Sequence, residues 1–194
     1  MYDAGADPYC YVGTTVLKNV LGLRDQGALD RFEAVVTAKR AEEPLPAGRL
    51  DVRHYRAVHR HLFQDVFRWA GRFRTVRTGK ADSMFCYPEN IPAQMDSLFS
   101  DLKARRFLQG LASAEFAVEA ARFLSTLNAI HAFRDGNGRT QLAFLALLAQ
   151  RAGHPLALVR LEPEAFLAAM IASFQGNERL LAEQIRSLTR QSKA

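Results

Sequence analysis

Cysteine is scarce in this sequence: Cys10 and Cys86 are the only two among 194 residues, 76 positions apart. A disulfide framework or a cysteine-based zinc site needs several sulfurs at close spacing, so both are excluded. A reducing compartment is the expectation. Long hydrophobic runs are missing too. The longest, Leu142 to Ala149, covers eight residues, where a membrane helix needs about 20. The N-terminal stretch MYDAGADPYCYVGTT has no basic flank leading into an apolar segment, so no secretory signal is expected. The cytoplasm is the expected location, with export by a machine that reads other signals left open. No internal repeat and no low-complexity tract breaks the chain.

What is present is ordinary globular material: 48% hydrophobic and 24% charged residues, enough to bury a core within one domain spanning 1–194. The net charge of +6 is uneven, because residues 49–80 carry nine Arg or Lys against two Asp. Such a surplus suits a nucleotide, an acidic protein surface or nucleic acid, and equally a solvated helix face. Hydrophobic periodicity predicts an all-α protein. Two helical pieces are expected over 12–43, broken around Gly22 to Gly27. A helix follows from an Asp51 cap towards Gly71, another over 91–108, and a third from Ser113, with Phe116, Ala120, Phe123, Leu124, Leu127 and Ile130 on one buried face. The stretch from Arg139 is apolar nearly all round and reads as a central helix ending at Gly153 and Pro155. Two more helices fill 163–192. Between 73 and 91 the pattern changes: Thr75 and Val76 favour extended backbone, Gly79 permits a turn and Phe85 to Tyr87 suit a return strand, which predicts a small β-hairpin.

The segment HAFRDGNGRT, residues 131–140, concentrates chemistry. It joins the end of one core helix to the start of another, where unpaired N–H groups and the helix dipole attract anions. Gly136, Asn137 and Gly138 supply the bend, and Arg139 adds a planar fork of donors for phosphate. Asp135, a hard oxygen ligand, is suited to hold Mg²⁺ against phosphate oxygens. His131 is placed to take a proton from a group attacking that phosphate. His54, His59 and His61 are read as surface or packing residues, and Trp69 as core.

This segment resembles the signature of the Fic family, His-Pro-Phe-x-Asp/Glu-Gly-Asn-Gly-Arg-x-x-Arg, and the likeness extends to DPYCYVGTTVLKNVLG, HRHLFQDVFRWAGRFRTV and AGHPL. The resemblance implies a Fic fold, a helical bundle whose core covers about 50–160 and whose hairpin forms a flap over the active-site loop. It implies transfer of AMP from ATP to a hydroxyl side chain of a protein, with Mg²⁺. In that reading His131 is the base and Asp135 the metal ligand. Asn137 and the turn N–H groups hold the α-phosphate, Arg139 grips the β-phosphate, and Phe133 anchors the loop. The flap positions, Thr75, Val76, Arg77, Thr78, Gly79, Lys80, Met84 and Phe85, offer a strand edge to the target.

Two positions depart from the signature. Ala132 replaces the proline and removes no chemical group, whereas Leu142 replaces the last arginine, which the family associates with the γ-phosphate and with an inhibitory glutamate. Arg134 and Arg77 are candidates to substitute for it. No Ser or Thr is followed four residues later by Glu, so the inhibitory Ser/Thr-x-x-x-Glu pattern is absent and a separate small antitoxin is the expected partner. Relatives of this kind modify type II topoisomerases or GTPases. Glycine at 138 favours AMP over phosphate transfer, and another nucleotide or a phosphocholine donor stays open. Two alternatives stand beside the enzyme: a catalytically impaired nucleotide-binding interaction module, and nucleic-acid binding through 49–80.

Overall fold

The structure is a computed structural model that describes residues 7–80 and 83–189. Seven helices and one minimal hairpin make up the described chain: α1 (Gln26–Glu42), α2 (Val52–Phe63), β1 (Gly79–Lys80), β2 (Ser83–Met84), α3 (Ile91–Ala104), α4 (Ser113–Ile130), α5 (Asn137–Ala152), α6 (Pro163–Phe174) and α7 (Arg179–Leu188). α4 lies at the centre, against α3, α5, α6 and α7, and α2 packs between α1 and α5. Its predicted face is buried throughout, from Phe116 to Ile130. Each large apolar side chain removed from water in this way contributes about 1.5–3 kcal/mol. α5 is enclosed as expected, with Phe144, Leu145 and Leu148 in the core and Ala143 and Leu147 packed against it.

Several helix ends follow from capping chemistry. Asp25 and Asp51 accept the N–H groups of Ala28 and His54, each at 2.8 Å, and so start α1 and α2. Gly153, at φ +86°, closes α5.

Two helix expectations are corrected. Residues 12–22 form no helix: Cys10 bridges to Leu17, and the Asn19 side chain binds the backbone of Leu17 and Leu23. An amide that satisfies local backbone groups in this way competes with a helix. α2 stops at Phe63 rather than near Gly71. The next residues turn so that Val66 and Phe67 enter the core and the Val66 carbonyl accepts Val20 N–H at 2.9 Å. The C-terminal helix ends at Leu188, and the expected extension to 192 reaches outside the described residues.

The hairpin is shorter than its sequence suggests. Only Gly79 with Met84 and Lys80 with Ser83 pair, extended by a bond from Phe85 N–H to the Thr78 carbonyl. Thr75 and Val76 do not pair with Phe85 to Tyr87, because the buried Arg74 side chain lies between the two arms. Its guanidinium donates to the carbonyls of Val76 (2.7 Å) and Cys86 (2.6 Å), and also to those of Ile130 (3.2 Å) and His131 (2.7 Å). One arginine thereby ties the root of the hairpin to the end of α4.

Candidate active site

α4 ends at His131, which takes the left-handed conformation at φ 50° and turns the chain into the loop 132–136. Asn137, the first residue of α5, closes that loop with its side chain. Its Oδ1 accepts Phe133 N–H at 2.9 Å, and its Nδ2 donates to the Phe133 carbonyl at 2.8 Å. The residue is 2% exposed. Both ends of the Asn137 amide are thus used on the loop, and its backbone N–H remains at the helix start. Phe133 sits fully buried between the rings of His59 (3.8 Å) and Tyr55 (5.3 Å).

α2 supports the loop from below through two residues one turn apart. Gly71 N–H donates to His59 Nδ1 at 2.9 Å, so that nitrogen is an acceptor. Nε2 must then carry the proton, which it donates to the Asp135 carbonyl at 3.0 Å. Burial lowers the His59 pKa to about 4 and keeps the ring neutral. Phe63 lies beneath Gly136, whose φ is +76°; a Cβ there would meet the Phe63 ring at 2.4 Å. Only glycine fits. Gly138 is the opposite case, since a Cβ there meets nothing within 4 Å. The space beside it is open to a ligand.

The charged residues of the motif have partners from the N-terminal part of the chain. Arg134 pairs with the mostly buried Asp7 at 2.8 Å, and Arg139 pairs with Glu33 of α1, donates to Thr37 at 3.1 Å and lies 4.6 Å over the Phe63 ring. Burial pushes the Glu33 carboxyl up, against the pull of Arg139. Asp135 accepts the Gly136 N–H through Oδ1 at 2.5 Å. Among the described residues no three His, Cys, Asp or Glu side chains gather at metal-binding distance. A single carboxylate is compatible with Mg²⁺, which commonly takes its other ligands from phosphate and water.

Two cavities meet at His131. One, of about 740 Å³, carries the charged residues, lined by Asp7, Arg77, Thr78, Met84 and the loop from Arg134 to Arg139. The other, of about 500 Å³, runs between α5 and α6 and is lined mainly by Leu142, Phe166, Leu167, Met170, Ile171 and Phe174. Phe85, His131 and Gly138 border both. The Phe85 ring lies parallel to the imidazole at 3.7 Å and 4°. Leu142, in place of an arginine, faces the apolar cavity. Arg77 lies 4.1 Å over Tyr87 at the edge of the charged one.

The structure thus brings His131, Arg134, Asp135, Gly136, Asn137, Gly138, Arg139, Arg77, Thr78, Gly79, Met84 and Phe85 around one space. Thr75 instead meets Tyr9, whose hydroxyl accepts its N–H at 3.2 Å, and Val76 gives its carbonyl to Arg74. Sequence reasoning missed Arg74, Asp7 and Glu33; His59, read as a surface or packing residue, and Phe63 are packing residues whose place beneath the loop it did not foresee. The four-residue spacing of His59 and Phe63 on a helix was a usable signal, whereas Arg74 resembles any surface arginine until its surroundings are known. No helix among the described residues is long and apolar enough to cross a membrane.

Residues 49–149 match the Fic/DOC family. Over 188 residues the chain is 52% identical to the probable protein adenylyltransferase y4lH of Sinorhizobium fredii, covering 96% of this chain and 98% of that protein. It is 35% identical to the protein adenylyltransferase VbhT of Bartonella schoenbuchensis, over 95% of this chain but 39% of that longer protein. Among solved structures, BepC of Bartonella tribocorum, with bound AMPPNP, superposes with a TM-score of 0.83 at 29% identity, covering 95% of this chain and 97% of that one. An N-terminal Fic domain from Bartonella quintana with bound ADP gives 0.84 at 30% identity, covering 95% of each chain.

Proposed function

Because the chain belongs to the Fic/DOC family, we propose that it transfers AMP from ATP to a hydroxyl side chain of another protein. The observation that carries this reading is the position of His131, which borders both the charged cavity and the apolar one. A nucleotide has the same division, with charged phosphates at one end and a flat apolar base at the other. Laid across the junction, it puts its phosphates on the N–H groups that open α5, its base between α5 and α6, and its α-phosphorus beside the imidazole.

In this reading the target hydroxyl attacks the α-phosphorus while His131 takes its proton. The bond to the bridging oxygen breaks, and pyrophosphate leaves. Gly138 lets the phosphates approach the backbone, and Arg139 reaches the β-phosphate by sharing or exchanging its contact with Glu33. Asp135 would hold Mg²⁺, which offsets the charge of the leaving pyrophosphate. The target segment adds to the free edge of the hairpin by main-chain pairing. Since the chain carries no Ser/Thr-x-x-x-Glu helix of its own, restraint falls to a separate small protein. The bacterial cytoplasm is the working location in this reading, in keeping with the bacterial relatives, and the target class is a type II topoisomerase or a GTPase.

The test is incubation of the purified chain with cell lysate and ATP labelled at the α-phosphate. A discrete protein band should carry label, and His131→Ala should reduce it by about 10²- to 10⁴-fold. Label that persists unchanged in the variant removes His131 from the mechanism. ATP-dependent thermal stabilisation with no transfer to any protein would mark the chain as a nucleotide-binding module instead.

A further inference from the structure

The apolar cavity has a feature that packing does not explain. Gln141, on the second turn of α5, is 2% exposed, yet neither its Nε2 nor its Oε1 has a hydrogen-bond partner among the described residues. A buried amide with both ends unsatisfied is costly, and a leucine of similar size would avoid the cost. Among the described residues Tyr55 Oη, Trp69 Nε1 and Thr78 Oγ1 also lack partners, but the first two line neither cavity at His131 and Thr78 lines the charged one, not the apolar one. Gln141 lines the apolar one.

The cavity walls limit what the amide can meet. Phe85, Phe166 and Phe174 present rings, and Leu142 and Met170 add apolar surface, which suits a flat heterocycle. The other amides on the lining, half-buried Asn128 and exposed Gln175, are within reach of water. A carboxamide offers one donor beside one acceptor, the pattern that pairs two-point with the amino group and ring nitrogen of adenine.

Resting on the nucleotide reading above, we infer that Gln141 is the residue that selects the base, its buried amide pairing with the polar edge of an adenine held between α5 and α6. The three side-chain torsions of glutamine let the amide swing from its buried position onto the base edge without moving the helix. The chain keeps the orphan amide at the expense of stability, because the bound base is its partner.

The purified full chain is compared with Gln141→Leu and Gln141→Met, using thermal shift with ATP, GTP, CTP and UTP in the presence of Mg²⁺. Without nucleotide, both variants should melt about 2–6 °C higher, since the unsatisfied amide is gone. The preference of the wild-type chain for ATP over the other three should fall about tenfold or more in both. An unchanged preference, within about twofold, overturns the assignment whether or not the variants melt higher; the nucleotide reading then survives. A wild-type chain that binds all four equally also overturns it. A wild-type chain stabilised by none of them overturns both readings together.

Discussion

Residues 131–140 and residues 75–87 meet at the same imidazole, yet the first segment is held at nearly every residue and the second, among its described residues, mainly at its root and through the Phe85 ring. The loop rests on His59 and Phe63, is tied by the Asn137 amide and is closed by Thr140 Oγ1 donating to the Gly136 carbonyl at 2.8 Å. The hairpin has two paired residues on each side and hangs from Arg74. In the proposed reaction the difference has a purpose. Phosphoryl transfer depends on positioning within a fraction of an ångström, so the segment that binds phosphate must not move. A segment that receives different peptides has no such requirement, and a short edge strand can adjust to its partner.

The strongest way to break this contrast is to remove the buried side chain that ties the hairpin root to the end of α4. Arg74→Met leaves four carbonyls without their donor, and each such loss costs about 1–3 kcal/mol, so destabilisation of about 4 kcal/mol or more is expected in urea unfolding. Loss of under about 1 kcal/mol would show that the hairpin root is held elsewhere.

A paired substitution separates rigidity from ligand space within the loop. Gly136→Ala must force a left-handed alanine against the Phe63 ring, which should cost about 3 kcal/mol and abolish activity. Gly138→Ala meets open space, so its melting temperature should be unchanged or slightly higher. Its affinity for ATP should fall at least about tenfold, because the new methyl group occupies the phosphate approach. Equal melting temperatures for the two variants would contradict the pedestal beneath Gly136.

Acid tests the same pedestal. The unfolded chain protonates His59 near its ordinary pKa of about 6.5, whereas burial holds the folded value at about 4. Between these limits the unfolded state binds more protons. Stability from this group is therefore complete above about pH 6.5 and falls as pH drops towards 4, by about 3 kcal/mol in total. Glu33 works in the opposite sense: its raised pKa means that the folded state takes up a proton more readily, which eases the burial of its charge in acid. Urea unfolding at pH 7, 5 and 4 measures the sum, and His59→Gln should flatten the profile. A profile of the same slope in that variant would rule out His59 as the source.

The smallest effect belongs to the hairpin. Met84 is 48% exposed and borders the charged cavity, so Met84→Ala should leave stability within about 0.5 kcal/mol and the KM for ATP unchanged. The KM for the protein target should rise about two- to fivefold. An altered KM for ATP instead would place this residue with the nucleotide rather than the target.

Most of the helical architecture was legible in the sequence. Periodic burial is a local property, and the face of α4, the enclosure of α5 and the Asp51 cap are all written in residues three or four positions apart. The motif at 131–139 was legible for a related reason, since so many residue types of one chemistry in a single turn serve little else. Residues 12–22 misled because apolar spacing there competes with an asparagine that binds its own backbone.

The sequence by itself determined the all-α class, the order of the helices after residue 25 and the loop on which the proposed chemistry rests, because each depends on neighbours along the chain. Only the tertiary structure decided that the motif arginines lean on Asp7 and Glu33, that Arg74 is buried rather than solvated, that His59 supports the loop, and that Gln141 lies in an apolar wall. These depend on which distant surfaces meet. The same side chain is harmless in water and costly or useful when enclosed, and no pattern of neighbours in the chain reports which of the two it will be.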